Sequence, residues 1–248
     1  MYPKFKVFLS PSSKNGNGWK IYEPTPETGP YFYEEVYWNE IVDLMIPILE
    51  RHNQDTMRND ITKIFSDHTA QSNACGADYH LVPHSNGSTS HTIRGLTVMC
   101  LNPEIATKES TLLAHSIYES LQAIMPVAGH GVRASTFDEL KNTTCPAAYG
   151  ECLYNDKPDD QKFLLTHKME IAIAWVKGYF NRIGILYDGL EEQKPMYRVQ
   201  CVAFRNNVYA NIYYKDVMQM FLKENDMRAK MIPPKPPLVL PYLKMTIE

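Results

Sequence analysis

Residues 77–86 read ADYHLVPHSN, and this stretch decides the fold. Its apolar centre, followed by the turn-forming sequence SNG at 85–87, is typical of a buried strand that runs into a loop. His84 lies at the carboxyl end of this predicted strand, which is the edge where open α/β sheets usually bind ligands. The imidazole is therefore a candidate metal ligand, although a histidine at a strand end is more often structural.

The segments on either side of this strand alternate between strand and helix patterns. Short apolar runs predict further strands at residues 6–10, 96–101 and 146–153. Helical patterns are predicted to begin at Glu34, Asp67, Thr111 and Asp159, the last running to Tyr179. Pro47, inside the first helix, indicates a kink or an early stop. The alternation favours an α/β fold with a single mixed, mostly parallel sheet flanked by helices.

Composition divides the chain into three parts. Residues 1–185 hold the alternating strands and helices, with a long loop rich in Gly and Pro after the first strand, and loops of that length are usually functional or disordered. Residues 186–196 collect Gly, Glu, Gln, Lys and Pro and are predicted to be a linker. Residues 197–248 predict a small C-terminal strand-helix appendage with a stiff Pro-rich tail.

Composition also restricts the classes of function. Apolar residues make up 44% of the chain, enough for a core, and no stretch reaches the roughly 18 consecutive apolar residues of a membrane span. A net charge of −3 argues against nucleic acid as the main partner. Five cysteines without a Cys-x-x-Cys pair favour reduced thiols. The first residues lack the apolar core of a signal peptide, so cytoplasmic synthesis is expected.

Acidic residues lie at the ends of two other predicted elements. Glu34 and Glu35 open the first helix, where the helix dipole favours a carboxylate, so an ordinary helix start explains them as well. Glu151 interrupts the small and apolar strand at 146–153, and a desolvated carboxylate there suits general acid–base catalysis. A buried acid paired with Lys or Arg is the alternative interpretation of Glu151.

These three segments, in this order, resemble the zinc-dependent N-acetylmuramoyl-L-alanine amidases, which cut peptidoglycan between the glycan strand and its stem peptide. Members have a glutamate opening the first helix, then a histidine in a segment like Asp-x-x-x-x-x-His-x-Asn. A late glutamate follows in a segment like Pro-Ala-x-x-x-Glu-x-x-x-x-Asn. This chain supplies Glu34, His84 within 78–86 and Glu151 within 146–155, where Asn155 lies one position nearer to the glutamate than in that pattern. The resemblance identifies residues 1–185 as an amidase-like catalytic domain.

The resemblance implies zinc-assisted hydrolysis of the amide between N-acetylmuramic acid and L-alanine. Zinc held by Glu34 and His84 would polarise the carbonyl and activate a water molecule. Glu151 would take the proton from that water and pass it to the leaving amine. Peptidoglycan is then the partner, and the protein would be an autolysin or a phage endolysin that meets the wall after lysis or export.

One position departs from the family pattern. The family's first ligand is usually a histidine in a segment like Asp-Pro-Gly-His, whereas residues 10–13 read SPSS, with Ser13 at the histidine's place. The Leu-Ser-Pro-Ser opening looks like a divergent branch. The asparagines of the loop at 15–17, or another histidine, would replace the ligand. His80 lies about 13 Å from His84 along a regular strand and is expected to be structural.

Two alternative functions use the same residues. The main one is a catalytically silent peptidoglycan-binding protein, in which Ser13 marks a lost metal site. The other is a zinc peptidase that cuts within the stem peptide.

The C-terminal part is similar to a second family. Residues 197–206 read YRVQCVAFRN, which resembles the start of SPOR domains, modules that bind glycan strands stripped of their peptides. Too few residues follow for a whole domain, so a homodimer through this segment would have to complete it. A plain appendage packed on the amidase is the alternative.

Overall fold

The computed structural model describes residues 2–13, 18–25, 29–105 and 108–189. Met1–Tyr187 form one compact unit, and a second unit begins at Asp188. Most of the predicted linker and all of the predicted appendage at 197–248 lie outside the described residues. The SPOR-like segment and the homodimer therefore stay predictions.

The described residues form eight strands and six helices. The strands are β1 (Lys6–Leu9), β2 (Gly18–Lys20), β3 (Tyr31–Tyr33), β4 (Asp55–Arg58), β5 (Tyr79–Asn86), β6 (Leu96–Cys100), β7 (Gly131–Ala134) and β8 (Ala147–Tyr154). The helices are α1 (Glu34–Arg51), α2 (Phe65–Cys75), α3 (Glu109–Gln122), α4 (Asp138–Lys141), α5 (Pro158–Thr166) and α6 (Lys168–Ile183).

Six of the strands make one sheet in the order β4-β1-β5-β8-β6-β7, while β2 and β3 pair as a separate antiparallel hairpin. Within the large sheet, β1 pairs in parallel with β4 and β5, β5 with β8, and β6 with β7. The pairing of β6 with β8 is antiparallel. The prediction of a single mixed, mostly parallel sheet flanked by helices is confirmed.

Helices α1, α3 and α6 cover one face of the sheet and enclose the larger part of the core. Trp38, Trp175 and Phe180 are fully buried there, and burying one large apolar side chain contributes about 1.5–3 kcal/mol. Gly150 in β8 makes room for Trp175, because a Cβ on this glycine would lie 2.5 Å from the indole. The indole of Trp175 therefore packs directly against Gly150, the residue that precedes Glu151.

The opposite face of the sheet is covered by α4, which contacts α2. A smaller apolar cluster lies on this side, formed by Val82, Leu140, Ala147 and Tyr149. Because side chains alternate along a strand, His80 and His84 point to the same face of β5 as Val82. This face carries the polar clusters described below.

The single helix expected over 159–179 is wrong, because α5 and α6 are separated at His167. This residue has φ −122° and ψ 33°, outside the helical range. Its Nδ1 lies 3.0 Å from the carbonyl oxygen of Phe163, and the Thr166 hydroxyl donates to the carbonyl of Lys162 at 2.7 Å. Polar side chains thus compete for the backbone carbonyls at the break.

Pro47 does not stop α1, which continues to Arg51. Proline removes one backbone hydrogen bond, but Pro47 lies on the exposed side of the helix, where water can solvate the carbonyl left over. The buried Ile48 and Leu49 that follow hold the last turn against the core. Tertiary packing here outweighs the local preference of proline.

The sequence patterns missed several short elements. The long loop after β1 contains the β2–β3 hairpin. The strands β4 and β7 lie at the two edges of the sheet and consist of four residues each, DTMR and GVRA, without a continuous apolar run. Short edge strands of this kind give almost no signal in the sequence.

Two further observations concern membrane spans and cysteines. Within the described ranges, no helix combines the length and the apolar character that a membrane span requires. The cysteines in these ranges, Cys75, Cys100, Cys145 and Cys152, are free thiols.

Candidate active site

The carboxyl ends of β5 and β8 bring a histidine and a glutamate side by side. The two strands are parallel, and His84 is the register partner of Glu151. Register partners on neighbouring strands lie about 5 Å apart and point to the same face. His84 is only 3% exposed, and the Oε2 atom of Glu151 is buried as well.

Glu34 reaches the same edge from the start of α1. It is the first residue of this helix and is 3% exposed. Its Oε1 lies 3.1 Å from Nδ1 of His84 and accepts a hydrogen bond from the backbone N–H of Ser85, also at 3.1 Å. The helix N-terminus favours the negative charge of this carboxylate. The structure thus brings together two of the residues singled out from the sequence, and Glu34 rather than Glu35 contacts the histidine.

Ser85 fixes the end of β5 to its surroundings. Its hydroxyl oxygen accepts a hydrogen bond from Nε1 of Trp38 at 3.0 Å and another from Nδ2 of Asn155 at 3.3 Å. Trp38 belongs to α1, and Asn155 directly follows β8. One hydroxyl therefore ties together the three elements that supply Glu34, His84 and Glu151.

An aromatic wall holds the imidazole of His84 in place. The ring stacks on Tyr149, with centroids 4.6 Å apart and an interplanar angle of 28°. The ring of Phe137 in turn packs edge-on against the ring of Tyr149, with a centroid distance of 5.1 Å. Burial, together with the charges of Glu151 and Glu34, raises the pKa of Tyr149 well above its ordinary value, so its hydroxyl stays protonated.

The electrostatics of this edge favour positive charge. Burial alone would lower the pKa of His84, but the hydrogen bond to Glu34 and the charges of Glu34 and Glu151 outweigh it, so the pKa is raised. The negative charges that stabilise a proton on this imidazole would also stabilise a metal cation beside it. We call Glu34, His84 and Glu151 the edge site.

The end of β8 is irregular next to the edge site. Leu153 has φ 63°, in the left-handed region that costs a residue with a Cβ about 1 kcal/mol or more. The pairing of β5 with β8 shifts after His84, so that Asn86 pairs with Tyr154. Bulges of this kind often re-aim side chains near functional sites. Here the shift ends the strand and leads into Asn155.

Two side chains of the edge site are of the kinds that bind zinc in proteins. Two ligand atoms at 2.0–2.2 Å from a tetrahedral ion lie about 3.3–3.6 Å from each other. The distance of 3.1 Å between Oε1 of Glu34 and Nδ1 of His84 is close to this. Imidazole nitrogen and carboxylate oxygen are both ordinary zinc donors. Within the described ranges, however, no three His, Cys, Asp or Glu side chains are arranged to hold a metal ion. The described residues thus provide two donors that fit zinc.

Ser13 stands at the end of a described segment. It is half-buried, and its hydroxyl lies 3.5 Å from the carbonyl oxygen of Lys63. The preceding Ser12 is fully buried, and its carbonyl accepts a hydrogen bond from Nδ2 of Asn39 at 3.2 Å. Residues 14–17, which hold the asparagines proposed as replacement ligands, lie outside the described ranges.

A second buried cluster lies deeper on the same face of the sheet. His80 has its Nδ1 2.8 Å from the Ser72 hydroxyl and its Nε2 3.2 Å from Oε1 of Glu139. Ser10 donates to the same Glu139 oxygen and lies 3.4 Å from Nδ1 of His68. All five side chains are buried. We call Ser10, His68, Ser72, His80 and Glu139 the inner network, and its contacts agree with a structural role for His80.

Sequence reasoning overlooked two residues that support the edge site. Ser85 directly follows His84, and Tyr149 precedes Glu151 by two positions. The two-residue period of a strand was enough to place Tyr149 on the face of Glu151. Glu139 left no such signal, because it lies in a four-residue helix within a polar stretch.

The sequence matches one known protein family. The family described as N-acetylmuramoyl-L-alanine amidase matches residues 33–179, which is more than half of the chain. This stretch includes Glu34, His84 and Glu151. No curated protein sequence matches the chain significantly.

Several solved structures are similar to this fold. An N-acetylmuramoyl-L-alanine amidase from Clostridium difficile 630 has a TM-score of 0.61 at 20% identity, covering 73% of this chain and 97% of that one. The amidase AmiC2 of Nostoc punctiforme has a TM-score of 0.59 at 18% identity, covering 74% and 99%. The catalytic domain of an endolysin targeting Clostridia difficile has a TM-score of 0.54 at 15% identity, covering 71% and 97%. At these identities the likeness concerns the fold.

Proposed function

This chain belongs to the N-acetylmuramoyl-L-alanine amidase family, and from that premise we propose that its edge site hydrolyses the amide between N-acetylmuramic acid and L-alanine in peptidoglycan. The observation that carries the proposal is the contact between Glu34 and His84 beside Glu151. Fifty residues separate Glu34 from His84, yet their side chains lie 3.1 Å apart at the carboxyl edge of the sheet. This is the edge where α/β folds place their ligands.

Glu151 is the general base of the proposed reaction. It removes a proton from the attacking water and delivers it to the amine of the leaving L-alanine, a role that carboxylates fill in many hydrolases. Its register partner is His84, so the carboxylate lies about one strand spacing from the proposed metal ligand. Water held between these two residues would be within reach of both.

Glu34 and His84 are the proposed zinc ligands. The ion, when bound, supplies polarisation of the amide carbonyl and a lowered pKa of its water. The chain's part is to hold these donors still: the N–H of Ser85 orients the Glu34 carboxylate, and Tyr149 fixes the plane of the His84 ring. Catalytic zinc sites normally use three protein ligands, and Glu34 and His84 are the two that we propose among the described residues.

Fragment analysis of a peptidoglycan digest tests the proposed function. The full chain with zinc is expected to release stem peptides that begin with a free L-alanine amine, leaving N-acetylmuramic acid with a free lactyl carboxylate. Mass spectrometry identifies both ends. Cleavage within the stem peptide would point to the peptidase alternative. Binding to the wall without any new ends would support the silent binding protein instead.

The biological role proposed is that of an autolysin or an endolysin. It is supported by the fold, which is similar to that of solved amidases and of the catalytic domain of an endolysin. Lysis of cells by externally added protein, compared with lysis on expression inside the cell, distinguishes the two roles.

A further inference from the structure

The β2–β3 hairpin presents an aromatic surface beside the edge site. The three residues of β3 alternate between exposed and buried. Tyr31 is 49% exposed and Tyr33 is 42% exposed, and their ring centroids lie 6.0 Å apart. The two neighbouring rings form a contiguous exposed aromatic patch, and contiguous patches of this kind are candidates for binding. We call Tyr31 and Tyr33 the aromatic platform.

The hairpin that carries this platform is anchored on its inner side. Phe32 is buried and packs on Tyr37 of α1, with ring centroids 5.0 Å apart. Trp19 lies edge-on to His91 at 5.8 Å, and a Cβ on Gly87 would meet the indole at 3.1 Å. The hairpin is thus attached both to α1 and to the segment that follows β5. Its outer side faces solvent at a fixed place next to the edge site.

Gly18 gives the platform its shape. It is the register partner of Tyr33, and a Cβ there would lie 2.8 Å from Cε1 of the tyrosine ring. The ring therefore lies over the glycine. Lys20 is the exposed partner of Tyr31 and adds a hydrogen-bond donor on the same side of the hairpin.

The chemistry of the substrate places a sugar near this platform. Tyr33 directly precedes Glu34, so their Cα atoms are about 3.8 Å apart. In the N-acetylmuramoyl group, three bonds separate the pyranose ring from the carbonyl carbon of the scissile amide, a distance of about 4 Å. A substrate whose amide reaches the edge site therefore brings a pyranose ring close to the hairpin.

We propose that the aromatic platform binds pyranose rings of the glycan strand beside the scissile amide. This inference rests on the proposed function. The faces of pyranose rings carry C–H groups that pack on aromatic rings, while their hydroxyls remain in water at the rim, and half-exposed tyrosines suit both requirements. Lys20 would donate to the acetamido or hydroxyl oxygens of the same sugars.

Binding of peptide-free glycan strands tests the proposal without requiring hydrolysis. The full chain with Glu151→Gln is titrated with these strands in a calorimeter, and Tyr31→Ala with Tyr33→Ala is expected to weaken binding about tenfold. Tyr31→Phe with Tyr33→Phe keeps the rings and should bind within about twofold of the parent. Gly18→Ala keeps both tyrosines but displaces the Tyr33 ring, so it should also weaken binding.

Tyr22→Ala is the matched control, because Tyr22 is an exposed tyrosine just after β2 and outside the platform. It should bind glycan as the parent does. The C-terminal segment is identical in all variants, so any difference reports the hairpin. Unchanged glycan binding by the double alanine variant, or a loss seen only with isolated stem peptides, would overturn the platform. A wild-type chain that fails to hydrolyse peptidoglycan while these differences persist would instead overturn the proposed function.

Discussion

The edge site and the inner network each contain a buried histidine of β5 in contact with a glutamate, but the surroundings of the two histidines differ. In the inner network, His80 lies near the start of β5, stacked on Phe8, and its two ring nitrogens contact Ser72 and Glu139. In the edge site, His84 lies near the end of the strand, between the start of α1 and its register partner Glu151. The histidine-to-glutamate distances are nearly equal, 3.2 Å and 3.1 Å.

The comparison teaches that a buried histidine–glutamate contact is not by itself a functional signal. A fully buried polar group such as the His80 ring must be satisfied by its neighbours, because an unpaired one costs about 1–3 kcal/mol. At the carboxyl edge, ligands and water have access, and polar groups there can be used for chemistry. The predictions below separate the two clusters by giving them opposite results.

The largest effect is expected from Glu151→Gln. The amide keeps the size and hydrogen bonding of the side chain but removes the base, so the rate of amide cleavage should fall at least about 100-fold. Thermal unfolding should be nearly unchanged. The matched variant Glu139→Gln, in the inner network, should keep the rate within a few-fold. The rates are measured from released stem peptides. If the Glu151→Gln variant cleaves at the rate of the wild type, Glu151 has no part in the mechanism.

The second prediction compares the two histidines. His84→Gln removes a proposed zinc ligand, so zinc affinity should fall about tenfold or more, whereas His80→Gln should leave zinc affinity unchanged. Competition with a chromogenic chelator gives both affinities. His80→Gln is expected to lower the melting temperature, because it disturbs the contacts to Ser72 and Glu139. Equal losses of zinc affinity in both variants would contradict the distinction.

The third prediction concerns the stability of the inner network. Glu139→Ala removes the acceptor that the Ser10 hydroxyl and Nε2 of His80 share, at a cost of about 2–4 kcal/mol. For a domain of this size, the melting temperature should fall by about 5–10 °C. Circular dichroism measures the transition. A melting temperature equal to that of the wild type would show that this network contributes little to the fold.

The smallest effect is expected at Ser13, the position where this chain differs from the family pattern. Ser13→His would restore the histidine that the family usually has, and it should tighten zinc binding by about tenfold by adding a third ligand. The gain should disappear when His84→Gln is combined with it, because both act on one ion. Unchanged or weaker binding in the single variant would mean that Ser13 does not face the edge site, and the binding-only alternative would gain support.

Long, regular features were predictable from the sequence, and features that depend on contacts between distant residues were not. The strand ending at His84 and the helix opened by Glu34 show clear periodicity, and the family resemblance joined them to Glu151. The hairpin at Tyr31–Tyr33 and the short helix at Glu139 are each too brief to show a period. Their positions are set by packing, such as that of Phe32 on Tyr37.

Zinc-dependent hydrolysis by the edge site is the central claim, and one digest tests it most directly. Intact peptidoglycan is incubated with the full chain as purified, with the chain after removal of metal by a chelator, and with the chelated chain given back zinc. Released stem peptides with an L-alanine amino terminus are quantified by mass spectrometry. The account predicts release by the first sample, at least about 100-fold less after chelation, and recovery with zinc. Equal release with and without the chelator would contradict it.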